Sequence, residues 1–185
     1  MGVFVGLIPD SKIIKSAEDF SSVAIVGCSG CANFSIAYEK DQPLSQISTD
    51  ETTGKRKRLP YALLKQTGHL KKLLEDKGVK VITEIITGPC RATDDGELKE
   101  LYGNPDWAEP GFNERCANAE AFITLCCSGG VFGLKQRLEK HIRIVLGMRD
   151  AGTWQSFLTM DEEKKFILID KDRSTVIQRK SNIYG

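Results

Sequence analysis

Cysteine is the residue of this chain that could do chemistry, and its placement is regular. Cys28 and Cys31 close the run Val-Ala-Ile-Val-Gly-Cys-Ser-Gly-Cys, Cys90 closes Val-Ile-Thr-Glu-Ile-Ile-Thr-Gly-Pro-Cys, and Cys126 and Cys127 close Ala-Phe-Ile-Thr-Leu-Cys-Cys. Each cysteine follows a short apolar, β-branched stretch that reads as a buried parallel strand. Loops leaving the carboxyl ends of such strands open onto one edge of the sheet. Three separated loops then bring three or four thiolates to one place. That chemistry is a soft-metal site, zinc or an iron–sulfur cluster, with a disulfide centre as the lesser alternative.

The two-residue spacer between Cys28 and Cys31 lets both sulfurs face one ion, and it also suits a dithiol redox pair. Of Cys126 and Cys127, one at most is expected as a ligand, because an extended chain points neighbours to opposite sides. Cys116, beside Ala117 and Ala119, reads as core. Ser128-Gly129-Gly130 reads as a strand-to-helix turn, with anion binding on its backbone amides as the alternative. His69 and His141 show no ligand spacing to a cysteine and read as structural. Lys55-Arg56-Lys57-Arg58 reads as a solvated loop rather than a contact patch for an acidic partner. There is no Ser/His/Asp order, no phosphate-loop lysine and no full dinucleotide fingerprint.

The elements that would position the thiols follow from periodicity. Strands are expected at Val23–Gly27, Val79–Ile86, Ala121–Leu125 and His141–Leu146, with Gly27 and Gly30 serving a tight turn. The clearest helix starts behind Pro60, carries Leu63, Leu64, Leu70, Leu73 and Leu74 on one face, and stops at Gly78. Further helices are expected through Ser35–Tyr38, 94–102, 112–119 and from Ser128 to Leu138. Residues 1–20 read as a lead-in, with a capping box at Ser16-Ala-Glu-Asp, and 41–59 as a surface loop. Phe166–Ile169 and Thr175–Gln178 read as a hairpin turning at Lys171–Ser174. The expected fold is α/β: a Rossmann-like parallel sheet of about four strands with helices on both faces, plus a C-terminal hairpin. The expected division is a cysteine-rich domain over 1–160 and a hairpin appendage over 161–185.

A chain of 185 residues with 41% hydrophobic and 28% charged residues needs no cysteine staples to hold a core. A net charge of +1 gives no overall field for nucleic acid or membrane. The N-terminus lacks the basic start and cleavage site of a signal peptide, so a cytoplasmic protein is expected, where clustered cysteines favour metal or redox chemistry over disulfides. Nothing in the sequence sets an oligomeric state.

The strings Val26-Gly27-Cys28-Ser29-Gly30-Cys31, Cys90, and Leu125-Cys126-Cys127-Ser128-Gly129-Gly130 resemble the C-terminal domain family of methylenetetrahydrofolate reductase, over about residues 12–158. The resemblance implies a small α/β protein with a zinc or iron–sulfur site and a partner role in one-carbon metabolism, beside a methylenetetrahydrofolate reductase or another redox subunit. By position it assigns Cys28, Cys31, Cys90 and Cys127 as ligands, with Cys126 as the alternate. Where members carry a further cysteine four residues after the second, this chain has Ser35. The expected function is thus a metal-binding accessory or electron-transfer subunit. The alternatives are a thiol–disulfide oxidoreductase with Cys28 attacking and Cys31 resolving, and a purely structural zinc domain.

Overall fold

The structure is a computed structural model and describes residues 2–49, 51–52, 54, 56–86, 112–137 and 143–178. Cys90, His141, Lys55 and the helix expected over 94–102 lie outside the described residues. The element order is β1 (Gly2–Leu7), α1 (Asp10–Ala17), β2 (Ser22–Cys28), α2 (Cys31–Lys40), β3 (Ser45–Thr49), β4 (Arg56–Leu59), α3 (Tyr61–Glu75), β5 (Lys80–Ile86), α4 (Phe112–Cys116), β6 (Ala121–Leu125), α5 (Ser128–Arg137), β7 (Arg143–Leu146), β8 (Met148–Asp161) and β9 (Phe166–Gln178).

Four of these strands form a parallel sheet in the order β5-β2-β6-β7. All of β2 and all of β6 are buried, as their unbroken apolar runs demand of central strands. Chain order runs one way from β2 to β5 and then crosses back to β6 and on to β7. The sheet therefore reverses direction at the β2–β6 pair. α3 lies against β2 and β5 and buries Leu63, Leu70 and Leu74, while Leu64 faces solvent. Gly78 ends the turn after α3 at φ 83°, a conformation that favours glycine. Gly27 does not serve a turn. It lies inside β2, where an added Cβ would come within 2.9 Å of the buried Leu63 side chain. Its missing side chain is what lets α3 approach the sheet.

A second, antiparallel sheet has the order β1-β8-β9-β3-β4 and unites the two ends of the chain with the 45–59 segment. α2 contacts both β1 and β2, and six consecutive residues, Ala32 to Ala37, are buried along it. A helix buried on all sides needs partners on all sides, and the second sheet supplies the outer one. Phe34 of α2 stacks on Trp154 of β8 with ring centroids 3.9 Å apart, and the indole N–H donates to the Val3 carbonyl at 3.0 Å. Inside, the Asn33 amide donates to the Leu44 carbonyl and accepts from the Leu63 N–H, one of the donors a helix start leaves unpaired.

Three sequence expectations are corrected. Residues 1–20 hold β1 and α1, and Ser16 closes α1 by donating to the Lys12 carbonyl instead of opening a helix. The 41–59 segment is the β3–β4 hairpin, not a loop. The C-terminal hairpin turns at 162–165, while Lys171–Ser174 bulges out of β9 opposite Gln155–Phe157. Its turn chemistry is real but local: Asp170 accepts from the Arg173 N–H, and the Ser174 hydroxyl bridges the Phe157 backbone.

Candidate metal centre at the strand crossover

Cys28 is the last residue of β2 and pairs in register with Ile86, the last residue of β5. Cys31 is the first residue of α2, and Cys127 immediately precedes α5. These cysteines stand at the carboxyl ends of β2 and β6, the pair at which the sheet order reverses. Open parallel sheets form their binding crevice at such a point, because the loops on either side diverge. Cys90 follows β5 by four residues in sequence and lies outside the described residues.

The thiols of the two loops meet. The Cys31 side chain neighbours that of Cys127 and the Val3 backbone N–H, and both act on its proton. The Cys127 contact pushes the Cys31 thiol far up from its ordinary range; burial and the neighbouring Cys127 and Cys28 sulfurs add to this. Cys28 is buried and Cys31 half-buried. A group of sulfurs that resists negative charge when only protons are available is one that a cation converts to thiolates, because the ion's charge inverts the local balance. Two sulfurs on one zinc lie about 3.8 Å apart, given zinc–sulfur bonds of about 2.3 Å. Thiols are soft-metal donors by type, but among the described residues, which include Cys28, Cys31 and Cys127, no group of three or more His, Cys, Asp or Glu side chains is placed to hold an ion.

Cys126 lies deeper, against the end of β2 beside Cys28. It is 1% exposed, its Sγ donates weakly to the Val26 carbonyl at 3.8 Å, and burial first, then the neighbouring Cys28 and Cys127 sulfurs, raise its thiol well above the ordinary range. Cys116 is buried, and its thiol is pushed up to about 11, first by burial and then by the Glu84 carboxylate. Glu84 is itself held by Arg115 through two hydrogen bonds of 2.5 and 2.8 Å.

The remaining candidates resolve into structural roles. The Asp150 carboxylate accepts from the Ser128 N–H at 2.9 Å and from its hydroxyl, so the chain itself supplies the anion at the start of α5. His69 pairs with Asp10 at 3.0 Å and ties α3 to α1. Ser35 is fully buried; its hydroxyl accepts from the Val5 N–H and donates to the Cys31 carbonyl, fastening α2 to β1. The sequence reading missed Val3 as a neighbour of Cys31, and no local signal marks it. Its approach depends on β1 pairing with β8, some 150 residues away along the chain.

No known family model matches the chain, and neither a curated protein nor a solved structure is similar enough to stand as a relative. Among the described residues, no helix is long and apolar enough to cross a membrane.

Proposed function

We propose that this chain binds a soft metal, zinc or an iron–sulfur cluster, through Cys28, Cys31 and Cys127 with Cys90 as the fourth ligand. On this reading it serves as an accessory or electron-transfer subunit. The carrying observation is the Cys31–Cys127 contact across the β2–β6 crevice. Zinc would fix the crevice loops, and an iron–sulfur cluster would carry single electrons. The chain's own part is to fix the ligand backbone: Gly30 to α2, Val3 on the Cys31 sulfur, and the Ser35 clamp. We read the parallel sheet as a Rossmann-like layer, supported by the strand order and by the position of the thiols at its reversal point. The sequence resemblance supplies the partner in this proposal, a methylenetetrahydrofolate reductase or another redox protein.

The oxidoreductase reading is weaker. Its attacking thiol, Cys28, is 4% exposed, and a disulfide substrate must reach that sulfur. The thiol at the helix start, Cys31, is raised instead of lowered, the opposite of what an attacking group needs. Anaerobic metal analysis with an absorption spectrum tests the proposal. One zinc per chain without visible absorption, or iron with sulfide and broad visible bands, is the expected result. Absence of metal from protein purified anaerobically and loaded with zinc or iron would remove it.

A further inference from the structure

A cleft of about 360 Å³ opens between the entrance to α2 and the β3–β4 and β8 strands. Its size falls within the range of small-molecule sites. Among the described residues, Arg58 is the only charged one lining it, and no carboxylate does. The Arg58 Nε donates to the Ser45 hydroxyl at 2.9 Å, and Ser45 is 2% exposed, so one edge of the guanidinium is pinned by a buried group. A guanidinium has five N–H donors, and the four on the outer nitrogens form the fork that grips carboxylates and phosphates. Among the described residues, no carboxylate engages that fork.

The rest of the lining suits an apolar body. The stacked Phe34 and Trp154 rings form one wall, with Leu44, Leu158 and Ser156 beside them. Strand alternation puts Arg56 on the same face of β4 as Arg58, which adds positive charge at the rim. Gly30 at the start of α2 also lines the cleft and brings no side-chain cap, so the positive end of the helix dipole reinforces the arginine.

We propose that this cleft binds a small molecule carrying a carboxylate or phosphate on an apolar body, with the oxyanion on Arg58 and the body against Phe34 and Trp154. The site borders the thiols, with no cysteine in its lining among the described residues. It shares only the Ser29–Gly30 link that joins Cys28 to Cys31 and does not depend on metal.

The test uses the full chain with Trp107→Phe, which leaves Trp154 as the sole tryptophan. Phenyl phosphate, benzoate and the uncharged benzyl alcohol are titrated against Trp154 fluorescence, in chelated and in metal-loaded protein. At least one anion should give a saturable change in the chelated protein, and the choice between the two identifies phosphate or carboxylate. Benzyl alcohol should bind about tenfold more weakly or worse, as should the better anion to Arg58→Gln, the loss expected for one charge-assisted contact. Should Arg58→Gln disturb folding, the anion-to-alcohol comparison in the unaltered cleft decides alone. Equal binding of alcohol and anions, no saturable binding of either anion, or full affinity in a folded Arg58→Gln variant would each overturn the proposal. Metal content is read in the same samples, so failure of the metal centre and failure of the cleft show separately.

Discussion

The Cys31 thiol, at the first residue of α2, neighbours the Cys127 side chain, two residues past the end of β6. Ninety-six positions separate them in sequence, and the contact exists because β2 and β6 are neighbours in the sheet. A sheet that kept strict chain order would have placed β5 between them.

The adjacent cysteines should therefore separate by substitution. Cys126→Ala removes a buried sulfur and should cost about 1–2 kcal/mol in chemical denaturation while leaving metal content unchanged. Cys127→Ala should lose metal instead. The opposite pattern would make Cys126 the ligand.

Gly27→Ala should destabilise the protein by about 1–3 kcal/mol, because the new Cβ meets the fully buried Leu63 side chain at 2.9 Å and Leu63 must shift within a packed core. The pair Gly27→Ala with Leu63→Ala should recover part of the combined loss. Strictly additive losses in a double-mutant cycle would show that the close approach of α3 is not the cause.

Removing Arg115 leaves the Glu84 carboxylate, 7% exposed, without its bidentate partner. Arg115→Ala should cost about 2 kcal/mol, and Glu84→Gln in that background should restore part of it. Urea denaturation of the three proteins checks this; a neutral Arg115→Ala would show that Glu84 is satisfied by other means.

Much of this architecture is legible in the sequence, for a physical reason. β2, β6 and α3 announce themselves because full burial writes an unbroken apolar run or a helical stripe, and Pro60 and Gly78 punctuate α3. β3 and β4 do not, because Gln46, Thr49 and Arg56 face solvent and the pairing is made by the distant β9. Lys171–Ser174 carries true turn chemistry, but a bulge uses the same residues as a hairpin tip, and only the partner strand tells them apart. The strand-end positions of Cys28, Cys31 and Cys127 were legible because each closes a strand-like apolar run. The cleft was not: Arg58 sits in a basic tetrapeptide, and only the β3–β4 hairpin turns it toward Ser45.

Alkaline pH should weaken the metal-free protein through Cys116. Its thiol ionises near 9.0 when unperturbed and only at about 11 when folded. The folded chain therefore holds this proton more tightly than the unfolded chain. The resulting stability is complete below pH 9.0 and is lost as pH rises toward about 11. Unfolding free energies of the chelated protein should fall across that window more steeply than those of Cys116→Ala. Parallel curves would remove Cys116 as the source.

The central claim is that the crevice between β2 and β6 is a metal centre built from both loops. Its most direct test is metal stoichiometry in anaerobically purified protein, compared across single serine variants of Cys28, Cys31, Cys90 and Cys127. One zinc ion or one iron–sulfur cluster per unaltered chain is expected, with a matching loss in all four variants and each variant still folded by circular dichroism. Retention of full metal content in folded Cys31→Ser or Cys127→Ser would contradict it, because those two residues make the contact on which the site is built.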